Sequence, residues 1–275
     1  MKKIAILPTL LTLGNAVCGF ASIAAASKIH ADAPEADVHF LFALSGGLIF
    51  AAMVFDMLDG YAARLSKTAS DFGGQLDSLC DAISFGAAPA FLLLRLSPDW
   101  DQPVIRQAVA VIASLYVVCA VLRLARFNLE NSTDPASHKR FKGLPSPAAA
   151  GCLASLAILR SELASAWVGL DRVVVVESFV RVWAPIGTLL VALLMVSRLS
   201  YPHFTRQLLR GRRSFRFVVQ AVLVVFLIAL TRDLACFLLF WAYALHAPLR
   251  YAVVRVLRDP ADLPDHDVNH DVSPH

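Results

Sequence analysis

The chain has 275 residues, of which 57 % are hydrophobic and 17 % charged, and its mean hydropathy is +0.63. Soluble domains carry about 25 % charge, so an ordinary soluble fold is excluded and the bilayer is the solvent. The net charge of +4 comes from basic residues gathered on one side of that bilayer rather than from a nucleic-acid-binding face.

A spanning helix needs about 20 mostly apolar residues. Such stretches occur in chain order at 8–27, 39–58, 75–97, 103–125, 145–163, 177–197, 215–231 and 234–250. The expected fold is therefore an all-α polytopic membrane helical bundle of about eight transmembrane helices. Only Arg232 and Asp233 divide the last two stretches, so either a tight turn separates them or one long tilted helix replaces both. A membrane barrel would show alternating hydrophobicity, which these unbroken runs lack.

With the N-terminus inside, the outer side holds seven of the 25 Lys and Arg, namely Lys28, Arg95, Arg106, Arg160, Arg172, Arg181 and Arg232. The other 18 lie inside, as the positive-inside rule requires. Both termini are thus expected in the cytoplasm, and the basic inner face suits an anionic lipid surface. Lys2 and Lys3 followed by an apolar run imitate a secretory signal, but the run from Ile4 to Ser27 exceeds the 7–15 residues of a signal core. It also carries Thr12, Gly14 and Asn15, so it is expected to stay as the first span.

The five cysteines, Cys18, Cys80, Cys119, Cys152 and Cys236, fall in predicted spans without a Cys-x-x-Cys pair and read as small buried hydrophobes. A transmembrane domain is expected over 1–258. The polar tail 259–275 reads as disordered and solvated, with weak metal binding by its Asp and His residues as the rival reading.

Ionisable residues inside spans are costly and mark function by default. Asp56 and Asp59 close the second stretch at i and i+3; Asp77 and Asp81 lie at i and i+4 near the start of the third. Each pair shares a helical face. Gly60, Ala63 and Arg64 extend the first face and Gly73 the second, leaving room for a ligand beside the backbone. Four converging carboxylates repel one another unless a hard divalent cation neutralises them, and Mg2+ or Mn2+ shares carboxylate oxygens with substrate phosphates. Helix capping or pairing with Arg64 would explain one such pair better than it explains two.

The pattern Asp56-x-x-Asp59-Gly60-x-x-Ala63-Arg64, eight residues, Gly73, three residues, Asp77, three residues, Asp81 resembles the signature of the CDP-alcohol phosphatidyltransferases at every position. The resemblance implies that Asp56, Asp59 and Asp77 bind one or two divalent cations, with Asp81 as a ligand or general base. It also implies that Gly60, Ala63, Arg64 and Gly73 hold the CDP moiety, and that an alcohol attacks the β-phosphoryl group of CDP-diacylglycerol, releasing CMP. Metal, Arg64 and a proton-accepting carboxylate are the groups such an in-line transfer needs.

The family leaves the acceptor open among serine, inositol, glycerol phosphate and choline. The segments Leu7 to Asn15 with Cys18-Gly19-Phe20, Arg123 to Asn128, Phe141 to Pro147, and Leu194 to Arg198 with Tyr201-Pro202 resemble the bacterial membrane-type branch that uses serine. This branch commonly has Pro-Asn where this chain has Pro8-Thr9. Serine brings a carboxylate, for which Arg123, Arg126 and Lys142 are the candidate cations; the two arginines read equally as headgroup anchors and Lys142 as a solvated loop residue. Thr12 and Asn15 share a face of the first helix and either contact cytidine or bond to a neighbouring helix. The resemblance further implies a bacterial inner-membrane homodimer, for which Ala87, Ala88 and Ala90 offer a close-packing surface that also suits packing within one chain. The rival outside the enzyme class is a cation-coupled transporter, whose carboxylates should lie near the midplane on broken helices rather than beside a basic cytoplasmic hairpin.

Overall fold

The computed structural model describes residues 6–30, 33–65, 71–96, 102–133, 141–166, 170–201 and 233–257. In chain order these form α1 (Ile6–Ser27), α2 (Glu35–Leu65), α3 (Asp71–Asp81), a π-helical turn (Ala82–Ala87), α4 (Ala88–Arg95), α5 (Pro103–Thr133), β1 (Phe141–Lys142), α6 (Ser146–Ala166), α7 (Leu170–Val196), β2 (Ser200–Tyr201) and α8 (Asp233–Leu257). Among the described residues the protein is a helical bundle, and β1 and β2 are a two-residue antiparallel clip between loops.

Among the described residues, five helices are long and apolar enough to cross a membrane: Ile6–Ser27, Glu35–Ala63, Phe72–Arg95, Pro103–Leu129 and Ser178–Val196. Five of the eight expected stretches thus meet this criterion among the described residues, and the stretch 215–231 and the tail 259–275 lie outside them. α6 is rich in Ala, Ser and Gly, and every residue from Ala149 to Ala157 is buried. A helix surrounded by protein has no lipid to face, and small side chains let neighbouring backbones approach closely.

Helices α2 and α5 run past the apolar stretches read from the sequence. Each has 31 residues, about 46 Å at 1.5 Å per residue, whereas the hydrocarbon core is about 30 Å thick. Both are therefore longer than an untilted span needs, and their C-terminal parts carry Asp59 and Arg126. The third span is one rod from Asp71 to Arg95, interrupted by the π-turn. Such a turn offers carbonyls with poor internal partners; here the buried Tyr116 hydroxyl of α5 donates to Phe85 O at 3.0 Å.

Polar pairs join helices where lipid offers no alternative partner. Ser22 Oγ of α1 donates to Ser45 O of α2 at 2.9 Å, and Ser45 Oγ returns a bond to Ser22 O at 3.1 Å. At the same end of the bundle, Ser161 Oγ donates to His39 O at 2.7 Å, and the Arg160 guanidinium lies 4.5 Å from the centre of the Phe42 ring. Ala88 and Ala90 are buried inside the chain, so of the two readings of that small-residue run they fulfil packing within one chain.

The loop before α6 is pinned to the end of α7. Phe141 and Lys142 pair with Tyr201 and Ser200, Gly143 N donates to Leu199 O at 2.8 Å, and Leu144 N donates to Leu194 O at 3.0 Å. Gly143 has φ +89°, and a Cβ there would collide with the Met195 carbonyl oxygen, so both conformation and space require glycine. This strap holds Ser146 at the same end of the bundle as the aspartates.

Candidate active site

The site forms where the C-terminal part of α2 meets the start of α3, with α1 behind it. One carboxylate oxygen each from Asp56, Asp59 and Asp77 lies within 4.8 Å of the others. Helix periodicity brings Asp56 and Asp59 to one face of α2; packing of α1 against both α2 and α3 brings Asp77 to them. Asp59 is 5 % exposed and the other two are half-buried. Asp59 Oδ2 and Asp77 Oδ1 are buried with no hydrogen-bond partner among the described residues. Buried polar atoms without partners are rare, and three carboxylates around one point repel. That donor set fits a hard divalent cation, which takes carboxylate oxygens and satisfies both deficits together.

Asp81 stands one helical turn beyond Asp77, outside the three-carboxylate group but within electrostatic reach of all three. Asn15 Nδ2 donates to Asp81 Oδ1 at 2.9 Å. Asn15 is itself fully buried, and its backbone carbonyl accepts from Ser84 Oγ at 2.9 Å, so α1 is tied both to Asp81 and to the π-turn after it. The contact is close because residue 19 is glycine: a Cβ there would lie 2.7 Å from Ser84 Cα. Of the two roles open to Asn15, bonding to a neighbouring helix is the one this structure displays. Thr12, also buried, donates to Pro8 O at 3.0 Å and lies against the Asp59 carboxylate, as does the Gly60 amide.

Ala63 and Gly73 are half-buried at the mouth of the site, and Gly74 beside Gly73 has open space where a side chain would stand. The side chains of Arg64 and Lys142 lie outside the described residues; the Lys142 backbone is in β1. Arg123 is 9 % exposed and within electrostatic reach of Asp56. Its Nη1 donates to Ser146 Oγ at 3.0 Å. Arg126, one turn further along α5, is half-buried. At Ser78, beside Asp77, the hydroxyl and Asn128 of α5 bond to one another at 2.8–3.1 Å.

Residues 5–183 match the model of the CDP-alcohol phosphatidyltransferase family. The chain belongs to that family. Three relatives carry the name CDP-diacylglycerol–serine O-phosphatidyltransferase. The one from Bacillus subtilis is 31 % identical over 210 residues, 76 % of this chain and 97 % of the relative. The one from Helicobacter pylori is 32 % identical over 200 residues, 72 % and 73 % of the two chains. That from Methanocaldococcus jannaschii is 34 % identical over 165 residues, 60 % and 66 % of the two.

As a CDP-alcohol phosphatidyltransferase, the chain carries its signature carboxylates on α2 and α3, and the structure adds neighbours that sequence reasoning missed. Ser84, Ser146 and Asn128 are ordinary polar residues in sequence. Of these, Ser146 and Asn128 carried a signal, lying within segments that resemble the serine-using branch, but no spacing rule pairs either with its partner. Tyr243, within electrostatic reach of Arg123, comes from α8, outside the family match.

Proposed function

We propose that the protein transfers the phosphatidyl group of CDP-diacylglycerol to the hydroxyl of L-serine, yielding phosphatidylserine and CMP in phospholipid biosynthesis. The observation that carries this reading is the nest of Asp56, Asp59 and Asp77, with buried unpartnered oxygens, set beside the buried cation Arg123. The names of the relatives support serine as acceptor.

Asp56, Asp59 and Asp77 would hold one or two divalent cations, Mn2+ or Mg2+, with Asp81 as a further ligand or general base. Such a cation neutralises charge on the diphosphate and on departing CMP. The chain's own residues do the rest. Gly60, Ala63 and Gly73 leave space for the CDP moiety, Arg64 adds a planar cationic fork, and Thr12 and Asn15 line the same cleft. Asp81, aimed by Asn15, accepts the proton of the serine hydroxyl as its oxygen bonds to the β-phosphorus and the bond to CMP breaks. Arg123, Arg126 and Lys142 hold the serine carboxylate. Positioning and charge stabilisation supply most of the acceleration.

The same reading takes residues 1–258 as one transmembrane domain with eight spans, adding α6, α8 and the stretch 215–231 to the five, and 259–275 as a polar tail. Support comes from the direction of α8. Phe237 lies against Phe179, Trp241 against Trp183, and Tyr243 against Tyr201, so α7 and α8 run the same way, the parity an eight-span chain requires. The basic-residue asymmetry supports a cytoplasmic active site and cytoplasmic termini, and the bacterial relatives support the inner membrane. A homodimer is part of this reading, carried over from the family resemblance.

The test is to incubate purified protein with CDP-diacylglycerol and labelled serine in Mn2+, Mg2+ or EDTA, with glycerol phosphate and inositol in parallel. Phosphatidylserine and CMP should form in equal amounts, only with metal. Product with another alcohol alone overturns the acceptor, and undiminished turnover in EDTA overturns the metal role.

A further inference from the structure

A guanidinium inside an apolar bundle is costly unless neighbouring groups fix it, and Arg123 draws those neighbours from separate parts of the chain. Ser146 Oγ, at the start of α6, accepts from its Nη1 at 3.0 Å. The Phe127 ring, on its own helix, has its centre 5.9 Å from the guanidinium carbon. Asp56 of α2 and the Tyr243 hydroxyl of α8 lie within its electrostatic reach. Because the guanidinium is a rigid planar fork, fixing one edge at Ser146 sets the direction of the others.

Tyr243 is held in place from several sides. Its ring lies 5.7 Å from that of Tyr201, a residue 2 % exposed whose hydroxyl donates to Ala244 O at 2.9 Å. Two residues before it, Trp241 fills the notch at Gly187, where any Cβ would collide with the indole, and Trp241 Nε1 donates to Cys152 O at 3.2 Å. These contacts set the register of α8 against α6 and α7. They would be served as well by phenylalanine at 243, since ring packing needs no hydroxyl; what the hydroxyl adds is its electrostatic interaction with Arg123.

We propose that Ser146 and Tyr243 are positioning residues that hold the Arg123 guanidinium beside Asp56 and thereby set how tightly the acceptor alcohol is bound, making α8 part of the active site. The inference rests on the reading of Arg123 as the cation for the acceptor's carboxylate. Ser146 and the Tyr201 clip connect the strap to the same cation, so the strap and α8 act on the acceptor subsite together.

The experiment compares Ser146→Ala, Ser146→Thr and Tyr243→Phe with wild type in the purified full chain, reading KM and kcat for both substrates together with Tm. Loss of one hydrogen bond or dipole at a charged group should raise the acceptor KM about tenfold, or about 1.4 kcal/mol, in Ser146→Ala and Tyr243→Phe. KM for CDP-diacylglycerol and Tm should hold, which marks lost acceptor binding rather than lost structure. Ser146→Thr should restore the wild-type value. An unchanged acceptor KM, equal rises for both substrates, or a fall in Tm matching the activity loss overturns the proposal. An activity-independent measure is the rate at which phenylglyoxal modifies Arg123, followed by peptide mass spectrometry. It should rise severalfold in Ser146→Ala and Tyr243→Phe and stay low in Ser146→Thr; equal rates in all four proteins overturn the positioning role. Wild type that ignores serine but uses another alcohol refutes the acceptor assignment alone, because the modification rates still report on Arg123.

Discussion

Asp77→Asn should stabilise the metal-free protein and abolish its response to metal. The three carboxylate oxygens lie within 4.8 Å of one another, and two unit charges at that separation repel by about 3.5 kcal/mol at an effective dielectric of about 20. Asparagine keeps the shape of aspartate and removes two of the three pairs, about 7 kcal/mol for a fully ionised nest. A seventh of that, about 1 kcal/mol, moves Tm by roughly 2–4 °C in a chain near this size. In EDTA the variant should therefore melt above wild type. With Mn2+ at a hundred times its Kd, wild type should gain about 2.7 kcal/mol by mass action while the variant gains little, so the order of melting reverses. The assay is a thermal-shift series on detergent-purified protein in EDTA and in rising Mn2+. A variant that melts below wild type in EDTA, or that keeps the full Mn2+ shift, would refute the metal nest.

Asn15→Leu removes the donor to Asp81 while keeping the branched shape; a hydrogen bond to a charged group contributes about 1.5–3 kcal/mol, so kcat should fall at least tenfold while Mn2+ still raises Tm. Loss of the Mn2+ shift along with kcat would instead make Asn15 part of the metal nest. Gly19→Val forces α1 away from Ser84 and should cost about 1–3 kcal/mol by overpacking, read as a lower Tm in EDTA and Mn2+ alike. An unaltered Tm would mean the α1 to π-turn contact is looser than the bond between Ser84 Oγ and Asn15 O indicates.

The carboxylate pairs were legible because helix geometry is local: offsets of three and four residues share a face wherever the helix sits. The convergence of the pairs was an expectation from the charges themselves, and the packing of α1 against α2 and α3 is what brings Asp59 and Asp77 together. Hydropathy reveals helices that face lipid, and it served α1, α2 and α5 well. It also marked α6 as the apolar stretch 145–163, but did not show that this helix is enclosed by protein rather than lipid.

From its sequence alone the chain determines that it is a membrane protein and that two carboxylate pairs stand on helix faces, because burial in lipid and the helical repeat act residue by residue. Tertiary structure decided which partners those groups meet. Asn15 finds Asp81 from 66 residues away and Ser84 from 69, Ser146 finds Arg123, and α8 brings Tyr243 to the same cation. Such pairings depend on how helices cross and on where a missing Cβ allows close approach, and neither is encoded in any local spacing.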